Sequence, residues 1–458
     1  MTTVDAQGAA DGPTVTAVRG PLVRILADPF RAGSEEVLKY TADALLICAD
    51  GRVTAAGEHA ALRHRLPAGV TPVHYPDHVI VPGFVDAHVH GVQTAVMPAS
   101  GADLAGWLEQ RAFPEEERFA DAGYAREAAA VFCDQLLRNG TTTALVFGSV
   151  HPGSADALFE AAARRNLRIA CGKVLMDRNA PDALLDTADG GYAESKALLD
   201  RWHGKGRARY AGTPRFAPSC SPAQLEAAAA LWHAHPGTLL HTHVSETPDE
   251  VEWARSLFPG RAGYLDIYDH YGLLGPGAVL AHGVHLSPAE RDRCAATGTA
   301  LAHCPGSNLA LGSGLFPARE TAGAPRPVTV GLGTDVGAGP TFSMLSTVYE
   351  AYRVAAMCGA PIDIVQAYHL ATRGGAAALG LADTVGSLAP GQEADFAVLD
   401  PRATPLLARR AARAEDIEEL LLVLAALGDD RAVRATYVAG RLAHDRDTAP
   451  AGGNGCDP

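Results

Sequence analysis

The chain has 458 residues, and 38 Lys plus Arg against 52 Asp plus Glu leave a formal net charge of -14 at pH 7. That balance excludes a protein that binds nucleic acid by broad phosphate neutralisation, which needs a basic face. With 47% apolar and 20% charged residues, disorder of the whole chain is excluded as well.

In chain order, residues 1–14 are small and polar and are expected to be a disordered tail. They lack the basic and apolar regions of a signal peptide, and no apolar stretch reaches the roughly 20 residues of a membrane span, so a cytoplasmic protein is expected. Residues 15–82 hold short β-like runs such as TAVRGPLVRI and ADALLICA, predicted as the N-terminal part of a β-sandwich. Over residues 83–384 short apolar runs (TTALVFG, GTLLHTHV, GAVLAHG, TALAHC, VTVGLG) alternate with Ala- and Leu-rich stretches of helical period. About eight parallel β-α units fit there, so the expected fold class is α/β, a (β/α)8 TIM-like barrel. Residues 385–446 return to short strands and are predicted to complete the small sandwich, and residues 447–458 are a second loose tail. The eight cysteines are dispersed without a C-x-x-C pair, which argues against a disulfide framework and a thiolate zinc site.

The strongest local signal is PGFVDAHVHG at 82–91. On a strand, residues i and i+2 share a face, so His88 and His90 project together, forming half of a divalent-metal site where barrel catalytic residues collect. An isolated H-x-H is weak, but it recurs in kind: His243 follows GTLLHT and precedes Glu246 by three residues, His282 ends AVLAH, His303 ends ALAH and Asp335 ends VTVGLGTD. Imidazoles or carboxylates finishing four further runs point to one metal site. His241 shares a face with His243 and is predicted to be a second-layer barrel histidine, and His303 to be structural, holding the HCPGSN turn.

At these residues the chain resembles the amidohydrolase superfamily, and within it the guanine deaminase family, through PGFVDAHVHGVQ, WLEQRAFPEEERF at 107–119, GKVLMDRN, TPRFAPSC at 213–220, HVSE, HCPGSNLALGSGLF and LGTDVGAG. The resemblance implies one Zn2+ per chain, with iron as the alternative, held by His88, His90, His243 and Asp335. It further implies that His282 bonds the water at the metal or touches the metal itself, that Glu246 shuttles the proton, and that Gln93, Arg215 and Phe216 contact a guanine ring, with Arg215 suited to its O6. Hydrolytic deamination to xanthine and ammonia, and a homodimer, are implied in the same way. The alternatives are a related deaminase of an aminotriazine, pterin or adenosine-like ring, and a non-catalytic barrel scaffold. Glu246 and Asp335 would divide the acid and base work, because attack on an amidine-like carbon needs a proton at the neighbouring nitrogen while the water gives one up. Glu246 also stands where it can open a helix, with Thr247 as cap and Pro248 in the first turn.

Overall fold

The computed structural model describes residues 14–98 and 104–448. The two expected tails fall almost wholly outside these residues.

Eight parallel strands form the barrel: β1 (Phe84–His90), β2 (Thr141–Phe147), β3 (Arg168–Gly172), β4 (Arg209–Pro214), β5 (Leu239–Val244), β6 (Ala278–His282), β7 (Ala300–His303) and β8 (Val330–Leu332). They neighbour one another in sequence order. Every residue of β1 and β2 is buried, as expected where helices cover one face of a strand and the barrel core the other. In β1 the alternation separates two tasks. Val85, Ala87 and Val89 belong to the apolar packing, while Asp86, His88 and His90 occupy the other face.

Three of the covering helices open alike, with a hydroxyl cap followed by proline. Ser221, Thr247 and Ser287 each accept the N–H of the third helical residue, and Pro222, Pro248 and Pro288 fill the first position, where a missing N–H costs nothing. This punctuation fixes the lengths of the strand-to-helix loops.

The N- and C-terminal segments join in one mixed sheet. Val79–Pro82 pairs in parallel with Val15–Ile25, setting Ile80 against Leu22, and antiparallel with Phe396–Leu399, setting Ile80 against Val398. The sheet's two wings close on a single core in which Val18, Leu46 and Cys48 meet Phe396, Val398 and Tyr437. A bridge between Arg52 and Glu393 and a 3.0 Å contact between the hydroxyls of Tyr75 and Tyr437 hold the wings together, giving the expected sandwich as one curled sheet. Arg207 ties sheet to barrel, pairing with Glu393 at 2.6 Å and with Asp395. Among the described residues no helix is long and apolar enough to cross a membrane.

Candidate active site

The inward face of β1 starts with Asp86, whose Oδ1 accepts the N–H of Thr334 at 3.1 Å and of His88 at 3.3 Å. Asp335 donates its own N–H to the His88 carbonyl at 3.0 Å. These bonds close the barrel between β1 and the loop after β8. The sequence suggested that Asp335 ends a strand; the strand stops at Leu332, and Asp335 stands beyond it with φ of 49°. Ser245 and His282 are also left-handed, with φ of 49° and 71°. Non-glycine residues adopt that conformation at a cost of about 1–3 kcal/mol, and such strain clusters where geometry serves function.

His88, His90 and His243 offer ligand atoms that all lie within 4.8 Å of one another, and so do His88, His282, Cys304 and Asp335. Asp335 Oδ1 is 3.2 Å from His88 Nε2 and 3.3 Å from His90 Nε2, while Oδ2 is 3.8 Å from His282 Nε2. The Nε2 atoms of His90 and His243 approach to 3.2 Å. His243 Nδ1 donates to the Arg215 carbonyl at 2.7 Å, which leaves Nε2 as the lone-pair nitrogen. His88 Nδ1 lies 2.7 Å from His241 Nε2, and its own Nε2 has no hydrogen-bond partner among the described residues. An unpaired buried polar atom costs about 1–3 kcal/mol, so this cluster of facing nitrogens is complete only with something between them. A divalent cation fits, since burial holds the imidazoles of His90 and His243 far below their ordinary pKa and keeps them neutral. Burial also opposes ionisation of Asp335, but His88 and the neighbouring histidines outweigh it and hold the carboxyl well below the usual carboxylate range. Cys304, which the sequence did not single out, is a poor ligand, because burial pushes its thiol far up.

Glu246 follows β5. Its carboxyl accepts the Ser313 hydroxyl at 3.2 Å and stands 3.6 Å from His282 Nε2. Burial, reinforced by Glu250 and Asp335, raises its pKa well above the ordinary value. The helix-opening task at this point belongs to other side chains. Thr247 and Glu250 form a reciprocal capping box, which frees the Glu246 side chain to face the site. His282 is held neutral, its pKa lowered to about 4 by burial, and its Nδ1 lies 3.0 Å from Asn308.

One cavity joins these groups to Gln93, Arg215 and Phe216. Phe216 is both core and wall, since it is buried, packs edge-on against Trp253 at 5.7 Å and lines the cavity. Arg215 is not a surface ion pair. It is 3% exposed, with its guanidinium 5.2 Å from the Phe113 ring centroid and its Nη1 2.7 Å from Glu116 Oε2. Glu116 lies within WLEQRAFPEEERF, where the sequence alone points to no role for it. His303 lies behind the site, stacked on Phe316 at 4.6 Å.

A parallel α/β barrel whose strand ends converge on imidazoles and a carboxylate is the architecture of a metal-dependent hydrolase. The amidohydrolase family profile matches residues 79–443. The chain is 48% identical over 437 residues to the guanine deaminase of Escherichia coli (strain K12), covering 95% of this chain and 99% of that one. The solved E. coli structure matches with a TM-score of 0.92 over 94% of this chain and 100% of that one. A guanine deaminase from C. acetobutylicum with bound guanine in the active site is 26% identical, with a TM-score of 0.83 over 94% of this chain and all of that one. An adenosine deaminase from Xanthomonas campestris with bound zinc is 25% identical, with a TM-score of 0.80 over 93% of this chain and 92% of that one. The chain belongs to the amidohydrolase family.

Proposed function

We propose that this chain deaminates guanine hydrolytically, yielding xanthine and ammonia, with one zinc ion held by His88, His90, His243 and Asp335. The carrying observation is that a single cavity joins the histidine and carboxylate cluster to Arg215 and Gln93, two hydrogen-bonding side chains suited to a purine edge. The E. coli relative, alike over nearly the whole of both chains, bears that activity in its name. Neutral nitrogens with one carboxylate oxygen are the donor set zinc prefers, and zinc is present in the adenosine deaminase neighbour.

Bound there, the ion supplies Lewis acidity and makes water a competent nucleophile at neutral pH. The chain's own residues manage protons and orientation. Arg215 donates to O6, and Phe216 lies along the ring. Glu246, protonated in its buried setting, gives its proton to the ring nitrogen beside C2 as water adds to that carbon. Asp335, held as the carboxylate, takes the proton from the water, with His282 accepting a hydrogen bond or passing the proton on. As the tetrahedral carbon collapses, Asp335 passes its proton to the exocyclic amine, the C2 hydroxyl returns a proton to Glu246, and the bond from C2 to that amine breaks, releasing ammonia. Water and guanine balance xanthine and ammonia.

The deciding experiment is ammonia release by purified protein from a panel of guanine, adenine, cytosine, pterins and aminotriazines. Guanine should dominate; turnover of a pterin, an aminotriazine or an adenine derivative in its place overturns the substrate assignment. A cytoplasmic homodimer belongs to the same proposal, and light scattering after size exclusion tests the dimer.

A further inference from the structure

We propose that Glu116 is a positioning residue that sets a hydrogen-bond donor beside an acceptor, so that the cavity recognises a lactam edge, a ring C=O next to a ring N–H. The inference rests on the guanine assignment above and deepens it.

Glu116 is fully buried, on the helix Phe113–Glu117. Its two oxygens are shared between two residues of the cavity wall. Oε2 accepts Nη1 of Arg215 at 2.7 Å, and Oε1 accepts Nε2 of Gln93 at 2.8 Å. A carboxylate so placed can only accept, so it selects between the two orientations of the Gln93 amide: the NH2 must turn toward Glu116, and Oε1 is turned away from it, beside Gly337. Gln93 is 1% exposed, and its Oε1 is buried without a hydrogen-bond partner in the protein. Such an oxygen costs about 1–3 kcal/mol until something donates to it.

The neighbouring loop keeps that oxygen where it is. A Cβ added to Gly337 would fall 2.1 Å from Gln93 Oε1, and Gly337 has φ of 126°, so a side chain is excluded here by both space and backbone. On the other side, Glu116 engages only Nη1 of Arg215, whose guanidinium carbon lies 5.2 Å from the Phe113 ring centroid, and the other N–H groups are not spent on Glu116. The two oxygens of one carboxylate are close together, so the groups they hold stand side by side. The wall thus offers Arg215 as a donor and Gln93 Oε1 as an acceptor. Guanine presents the complement, O6 as acceptor and N1–H as donor. A 6-aminopurine presents the reverse at both atoms, and each reversed pair leaves a buried group of the protein unpaired.

The test compares Glu116→Gln with the original protein on guanine and on 2,6-diaminopurine, which keeps the C2 amine but replaces the lactam edge. Release of the C2 amine is measured after metal content and melting temperature have been matched. The original protein should prefer guanine by at least about 100-fold in kcat/KM. In Glu116→Gln the guanine KM should rise about 10- to 100-fold with kcat within about threefold, while 2,6-diaminopurine changes by less than about threefold. An unchanged preference overturns the inference, as does an equal loss on both substrates, which a merely structural role would produce. If Glu116→Gln does not fold, the exchange Gln93→Glu with Glu116→Gln decides. It keeps one carboxylate and one amide in place and retains an acceptor at 93, so guanine preference should return to within about tenfold of the original. A folded exchange variant without that preference overturns the inference. Absence of guanine turnover in the original protein would instead remove the substrate assignment itself.

Discussion

Glu250 Oε2 accepts the backbone N–H of Glu246 at 2.7 Å, so the side chain that caps one helix also anchors the peptide carrying the Glu246 carboxyl. Its other oxygen accepts the Tyr264 hydroxyl at 2.7 Å. With its main chain secured by Glu250 rather than by its own side chain, Glu246 can lose its acid function without the loop losing its shape.

Glu246→Gln should therefore keep fold and metal but lower kcat by at least about 10²-fold, the usual worth of general acid-base catalysis. Metal content, melting temperature and guanine turnover on this variant check it. The sign of the pH dependence follows from the raised pKa of Glu246. The donating form is lost as pH rises, so kcat/KM of the original protein should fall on the alkaline side. Near-normal turnover in metal-loaded Glu246→Gln would give both proton transfers to Asp335 or to a relay through His282.

One divalent ion per chain should be found by elemental analysis, zinc rather than iron, and a strong chelator should abolish activity, with zinc restoring it. The chelated protein should also melt at a lower temperature, because the ligand nitrogens clustered within 4.8 Å are left without the ion that stabilises only the folded chain. Full activity with no stoichiometric metal would defeat the mechanism.

His241→Ala should weaken metal retention about 10- to 100-fold, the range for partners that orient a ligand from behind. Its Nε2 is 2.7 Å from His88 Nδ1, and burial keeps the ring neutral and able to accept. Competition with a metallochromic chelator measures the change; unaltered affinity would make His241 a packing residue alone.

Glu350 supplies a stability test away from the chemistry. Burial raises its carboxyl to about 7, and Oε2 has no partner among the described residues. A carboxyl with a raised folded pKa leaves full stability below its unfolded value and removes it as pH climbs to the folded one, so the cost accrues between about 4.5 and about 7. Glu350→Gln should thus gain on the original protein by on the order of 2 kcal/mol more at pH 8 than at pH 4.5. Denaturant titrations at the two pH values decide, and a constant difference would refute the assignment.

The positions of His88 and His90 on one strand face were legible because strand period is two and both lie in one run. His243 and His282 were legible because each closes an apolar run. Asp335 was found by type but misplaced by geometry, since a left-handed residue three positions past the last ladder pair has no periodic signature. Glu116 was not legible at all as a partner of Gln93 and Arg215. It sits among three consecutive glutamates, its partners are 23 and 99 residues away, and only the closed barrel reveals which of the three meets Gln93 and Arg215. The single curled sheet was readable as two strand-rich ends, but its pairing through Ile80 depends on contacts between opposite ends of the chain.

That pairing has a consequence for biosynthesis. Val79–Pro82 lies one residue before β1, and the ladder partner on its open side, Phe396–Leu399, is made more than 300 positions later. During translation at about 5–20 residues per second, this apolar strand waits tens of seconds with one edge unmatched, while His88 and His90 are already synthesised. A late-made sheet strand therefore covers the strand that leads directly into β1, so a ribosome stalled before residue 396 should leave a chain prone to edge-to-edge association.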